Sequence, residues 1–259
     1  MTLSELFYKI FGNIPTQNNF DLFSWQYFLL LLFEIGIPVT LAIVFRNKEE
    51  KTKNLILKIT AYFIIVSYIL DFFLQKFWAG GMIPHKLPFH ICTATGILLT
   101  FVTFSPKFDK IKTVVTVWAV ISPLLWMIFP FNTYNSGVSL FSYSKLQPIL
   151  YHTAEFFWGL YMLTSGKVSL EWKKLWQPIV ALFPMAAWAA FGQELYFPNE
   201  IGENFLMLKT DTTGICPHWV FLIALFLGAA LAITLVYLIY NCIVKLKTRK
   251  PKQQPQEKQ

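Results

Sequence analysis

Charge is what this chain has least of: Asp, Glu, Lys and Arg together make up 14% of its 259 residues. A water-soluble domain of that length needs far more polar surface, so an ordinary soluble globule is excluded. Reactive side chains are equally sparse, with three cysteines and four histidines. No HExxH, no CxxC and no closely spaced histidine pair occurs, so the common zinc patterns are absent and no metal or other cofactor is expected. The chain also lacks a glycine-rich, collagen-like or heptad pattern and any internal repeat of useful strength. It opens without a basic stretch and a small-residue cleavage site, which argues against a removable signal peptide.

What is present is apolar. Hydrophobic residues reach 55%, aromatics 18%, and the mean hydropathy is +0.49. Seven runs approach the roughly 20 residues that one bilayer crossing needs. They lie near 25–45, 56–75, 88–105, 112–130, 148–165, 176–192 and 218–243. The expectation is an all-α membrane protein with about seven transmembrane helices. The sixth run is the weakest, being short and interrupted by Pro178 and Pro184.

The net charge of +8 invites a nucleic-acid reading, but the placement of the lysines argues against one. Arg46, Lys48, Lys51 and Lys53 fill one loop, Lys107, Lys110 and Lys112 a second, and Lys167, Lys173 and Lys174 a third. Lys245, Lys247, Arg249, Lys250, Lys252 and Lys258 crowd the C-terminal tail. These segments alternate with basic-poor ones, so the positive-inside rule places the N-terminus outside and the C-terminus in the cytoplasm of a multi-pass cell-membrane protein. The basic excess then serves topology and contact with anionic lipid, and no nucleic-acid partner is expected.

Three regions follow. Residues 1–23 form an outer-surface amphipathic helix and lead-in, with Leu3, Leu6, Phe7, Ile10 and Phe11 on one face and capping-box spacing between Thr2 and Glu5. Residues 24–246 form the transmembrane domain, and residues 247–259 a disordered basic tail. The acidic, aromatic connection 193–216 faces outside and has the length of a binding segment.

Ionisable groups inside spans cost about 2.5–3.5 kcal/mol at mid-membrane, so each needs a reason. Asp71, His90, Cys92, His152, Glu155 and His218 all fall within a turn or two of the outer surface, whereas Glu34 lies deeper. His152 and Glu155 are three apart and share a helix face. His90 and Cys92 are two apart and point to different sides of a regular helix. Cys92 facing His152 across a helix pair is the better arrangement, with Gly96 and Gly159 allowing close approach. An imidazole activates a thiol for attack on an ester, and the nearest esters are those of membrane phospholipids. Cys92 is then the nucleophile, His152 the general base and Glu155 its orienter. The bland alternative makes Cys92 a small packing residue and His152 a helix-to-helix hydrogen bonder. A zinc site drawn from Asp71, His90, Cys92, His152 and His218, or a disulfide between Cys92 and Cys216, are weaker options.

The segment LPFHIC at 87–92 resembles the LPLHLC that opens a span in the bacterial YwaF-type integral membrane proteins. These are similar to a eukaryotic transmembrane family that includes a cysteine-centred phospholipid acyltransferase. YHTAEFFWGLYML at 151–163, NFLMLK at 204–209 and CPHW at 216–219 resemble that family's later histidine-bearing span, its asparagine-bearing segment and the opening of its final span. The resemblance covers about residues 20–245 and implies Cys92 as nucleophile, His152 as base, and matching roles for the motif's His90 and for Asn204. The sequence departs from the family pattern at Phe131, where bacterial members carry an acid, and at Cys216 and His218. With Asp71 and His218, His90 and Asn204 form the expected substrate-binding set.

The leading expectation is therefore acyl transfer or hydrolysis on membrane phospholipid at the outer leaflet. The alternatives are a small-solute transporter or substrate-binding membrane subunit, in which Glu34 and Asp71 matter more, and a non-catalytic assembly protein. The sequence assigns no oligomeric state.

Overall fold

The computed structural model describes residues 2–16, 23–74, 87–129, 137–196, 206, 208 and 216–248. Nine α-helices occur among them: α1 Leu3–Phe11, α2 Trp25–Phe45, α3 Glu50–Leu74, α4 Ile91–Phe104, α5 Lys112–Ile128, α6 Tyr143–Thr164, α7 Trp176–Val180, α8 Leu182–Tyr196 and α9 His218–Thr248. Short 3₁₀ turns at Pro106–Ile111 and Trp172–Lys174 lead into α5 and α7.

Five segments are long and apolar enough to cross a bilayer: α2, α3, Pro106–Ile128, Trp172–Tyr196 and His218–Leu246. The 22-residue α6 is long enough but more polar, and α4 is apolar but only 14 residues long. Together they give about seven crossings, at the places the hydropathy pattern marks. The sixth crossing divides into α7 and α8 at Ala181. The cause is Pro184, which has no N–H to give the Val180 carbonyl.

α6 is the central helix and packs against α2, α3 and α5, while α4 sits against α3 and α5. Its C-terminal end is tied down by the Tyr161 hydroxyl, which donates to the Phe45 carbonyl (3.1 Å), and by Thr164 Oγ1, which donates to Ala42 (3.2 Å). Gly166 then takes a left-handed turn, φ +77°, that closes the helix with the Val168 N–H on the Met162 carbonyl. At Gly159 a Cβ would lie 2.9 Å from the Ala119 backbone carbon, and at Gly96 it would collide with the Tyr151 hydroxyl. Both glycines therefore mark close approaches. Gly96 makes room for the Tyr151 side chain rather than for a backbone approach of α4 to α6, and Gly159 serves the α5–α6 contact.

Outward faces carry large apolar side chains, among them Leu29, Leu32, Phe63, Phe73, Leu227 and Leu231. Rows of that size on several helices are the mark of a lipid-facing surface.

The two ends of the bundle differ. At one end, α1 carries the expected capping box, with Thr2 N donating to Glu5 (2.7 Å) and Glu5 N to Thr2 Oγ1 (3.2 Å). Its lead-out docks on the start of α6: Ile14 N donates to Ser142 Oγ (2.8 Å), Pro15 and Val138 form a β-bridge, and Phe11 meets Tyr143 edge-on. The start of α4 lies at this end too, where Trp188 Nε1 donates to the Pro88 carbonyl (2.8 Å). At the other end gather the loops with Lys53, Lys112, Lys167, Lys173 and Lys174, two of which bridge to Glu50. The chain's basic loops thus share one end.

Candidate functional site

α4 is too short to span the roughly 30 Å of a bilayer core, since 14 residues rise about 21 Å. A turn over residues 87–90 precedes it, and Phe89 is buried against Trp188 and Tyr196. The helix therefore begins inside the bundle, with His90 as its N-cap and Cys92 in its first turn. That is why a reactive pair opens an apolar helix: the start of α4 is already interior.

Cys92 points toward α5 and α6. Its thiol shares an electrostatic neighbourhood with the Ser122 hydroxyl, the Glu155 carboxyl and the Tyr151 hydroxyl. Ser122 Oγ donates to its own helix at the Trp118 carbonyl (2.9 Å) and makes a longer contact of 3.4 Å with Glu155 Oε1. Glu155 is fully buried, and its Oε2 has no hydrogen-bond partner among the described residues. The same holds for the Tyr151 hydroxyl, which is wedged against Gly96. A half-buried thiol and a buried hydroxyl and carboxyl, from three helices, thus gather in one interior array, with a phenol beside it.

His152 stands one turn before Glu155 on α6. Its ring stacks on Trp126 at 4.1 Å with an interplanar angle of 6°, and Nδ1 lies 2.7 Å from the Pro148 carbonyl. A carbonyl only accepts, so Nδ1 carries the proton and Nε2 is the basic nitrogen of the neutral ring. Pro148 and Trp126 orient the imidazole, and Glu155 meets the Ser122 hydroxyl on α5.

The other expected residues lie around this array. Asp71 is buried near the end of α3, within electrostatic reach of Tyr68 and Tyr143. His218 opens α9, with Nε2 2.7 Å from the Leu208 carbonyl. Asn204 lies outside the described residues, as do His85 and most of the 193–216 connection. No three His, Cys, Asp or Glu side chains converge as metal ligands among the described residues, and the three cysteines are unbridged.

Beside the array is a cavity of about 250 Å³ between the start of α4, α5, α8 and α9. Ile91, Ile121, Leu182, Leu206, Phe226 and Ile233 line it, and among the described residues Ser122 is the one hydroxyl on its wall. The Trp118 indole, also on the wall, is already committed to the Pro178 carbonyl (3.2 Å). Apart from Ser122 the described lining is apolar. Ser122 and Tyr151 carried no signal in the sequence, being ordinary residues within apolar runs.

These features define a polytopic α-helical membrane protein with an interior polar array next to an apolar slot. The chain belongs to the TMEM164 family, whose family model matches residues 22–243. No curated protein and no solved structure matches it.

Proposed function

We propose that this membrane protein transfers acyl groups from phospholipid esters, with Cys92 as the nucleophile. The observation that carries the reading is the Cys92–Ser122–Glu155 array, whose Ser122 also lines an apolar cavity. The resemblance of LPFHIC to the YwaF-type motif, and through it to a cysteine-centred acyltransferase, points the same way.

The acyl chain lies in the cavity, which brings its ester carbonyl to the end where Ser122 and Cys92 meet. The thiol proton passes through the Ser122 hydroxyl to Glu155, so one negative charge moves from carboxylate to sulfur. Sulfur attacks the carbonyl carbon, the C–S bond forms, and the acyl C–O bond breaks. The leaving alkoxide takes a proton from Glu155. In the second half an acceptor hydroxyl, of a lysolipid or of water, attacks the thioester. His152 Nε2 takes its proton and returns it to the departing Cys92 sulfur. His90, Asn204, Asp71 and His218 are placed in this reading around the head group. The site faces the outer leaflet if the basic end of the bundle is cytoplasmic.

A short-chain phospholipid incubated with purified protein should leave a hydroxylamine-labile acyl adduct on the Cys92 peptide. Mass mapping that finds an adduct on Cys216 or Cys242, or none, would remove the mechanism. Ser122→Ala should slow adduct formation about 10- to 100-fold, because a hydrogen bond to a charged sulfur is worth about 1.5–3 kcal/mol. An unchanged rate would make Ser122 a packing residue.

A second reading rests on Glu34. It is buried in α2, and neither carboxyl oxygen has a hydrogen-bond partner among the described residues. An intramembrane acid in that state suits a solute or proton path. Under this reading Glu34→Gln abolishes uptake in reconstituted vesicles while Cys92→Ala does not; the opposite pattern returns the function to Cys92.

A further inference from the structure

The opposite end of the bundle holds a second cavity, of about 330 Å³, that the acyl-transfer reading does not use. It opens between the start of α3, the end of α4, the 3₁₀ turn before α5 and the end of α6. Its floor is apolar and well packed: Leu57, Val102 and Met162 are buried, and so is Trp158, whose indole N–H donates to Thr103 Oγ1 (3.1 Å). Its walls are basic. Lys58 comes from α3, Lys112 from the start of α5 and Lys167 from the loop after α6, against Asp109 as the one acid in the lining.

The partners of these lysines matter. Lys112 reaches Asp109 at 3.5 Å, and Lys167 pairs with Glu50, but the two acids are 60% and 67% exposed at their side chains while the lysines are 29% and 19% exposed. The acids sit at the rim in water, where ion pairs contribute little and exchange readily. Lys58 has no ion pair among the described residues, and the Asn54 amide and Ser105 hydroxyl on the wall make no side-chain hydrogen bond there. Three lysines from three elements, with an asparagine and a serine, line one recess.

We propose that this recess binds a phosphate group. Converging ammonium, amide and hydroxyl donors match a tetrahedral oxyanion, and the apolar floor suits the carbon skeleton attached to it. Two sources share that chemistry: the head group of an anionic phospholipid in the adjoining leaflet, and a soluble phosphate ester. The recess is separate from the candidate active site. Cys92 and the recess lie at opposite ends of α4, about 18 Å apart along the helix. A lipid held here therefore acts as a bound ligand rather than as the reacting ester.

The test uses full-length protein in nanodiscs of phosphatidylcholine, with or without phosphatidylglycerol, and reads bound lipid by native mass spectrometry and thermal stabilisation. Glycerol 3-phosphate and inorganic phosphate form the soluble arm. Wild type should bind one of the two sources. The Lys58→Gln/Lys112→Gln double variant should bind it about tenfold or more weakly, and Lys51→Gln, outside the recess, should not. Asn54→Asp, on an exposed position, should weaken binding likewise with no change in the ligand-free melting temperature. Phosphatidylglycerol binding that soluble phosphates do not displace identifies the lipid source. Stabilisation by glycerol 3-phosphate without lipid preference identifies the soluble one. Equal binding by wild type, double variant and Asn54→Asp overturns the site.

Discussion

Replacing Cys92 by alanine should lower acyl turnover by at least about a thousandfold and leave the melting temperature of the purified protein nearly unchanged. The size follows from the absence of a substitute. Cys216 precedes α9 and Cys242 is exposed near its far end, and neither shares the neighbourhood of Ser122 and Glu155 that Cys92 has. The mild effect on folding follows from the volume involved, since alanine removes only a sulfur atom from the first turn of a short helix. Cys92→Ser separates two ideas. A serine there keeps the contact with Ser122 but is a far weaker nucleophile without an activating base in direct contact. Turnover that survives in both variants would sink the mechanism and leave Cys92 as packing.

The second large effect is expected at Gly159. A methyl there meets backbone on the facing helix, 2.9 Å from the Ala119 carbon and 3.0 Å from the Val120 nitrogen. Side chains can turn aside, but two helix backbones cannot. Gly159→Ala should therefore cost about 1–3 kcal/mol, the usual range for overpacking, and Gly159→Val more. Melting in detergent checks this, with Gly228→Ala as the control. Gly228 has nothing within 4 Å of its added methyl, so alanine there should be neutral or slightly stabilising. Function should fall with stability at Gly159. Ser122 lies on α5 and Glu155 on α6, so helices pushed apart by tenths of an ångström stretch a contact that is already 3.4 Å long.

The crossings were legible because hydropathy is a local property, and the span ends agree with the helices to within a few residues at Trp25–Phe45 and His218–Thr248. The split of the sixth crossing was visible in Pro184, and the capping box in Thr2 and Glu5. The site was legible only in its ionisable members. Burial makes charge costly, so Cys92, His152 and Glu155 stand out against an apolar background, whereas Ser122 and Tyr151 do not. Their importance comes from where α5 and α6 meet α4, and no spacing rule within one helix carries that information. The same limit explains Gly159, whose partner helix was misjudged.

The docking of residues 13–16 onto residues 137–144 has a consequence for how the protein is made. Ile14 and Ser142 are 128 residues apart. At about 5–20 residues per second, a ribosome needs roughly 6–25 s to deliver the second after the first. Through that interval α1 exists without its seat, while α2 to α5 emerge and enter the bilayer. An amphipathic helix in that position has one place to rest its apolar face, the lipid surface. The membrane is thus a temporary chaperone for the N-terminus, and arrival of α6 is the event that relieves it.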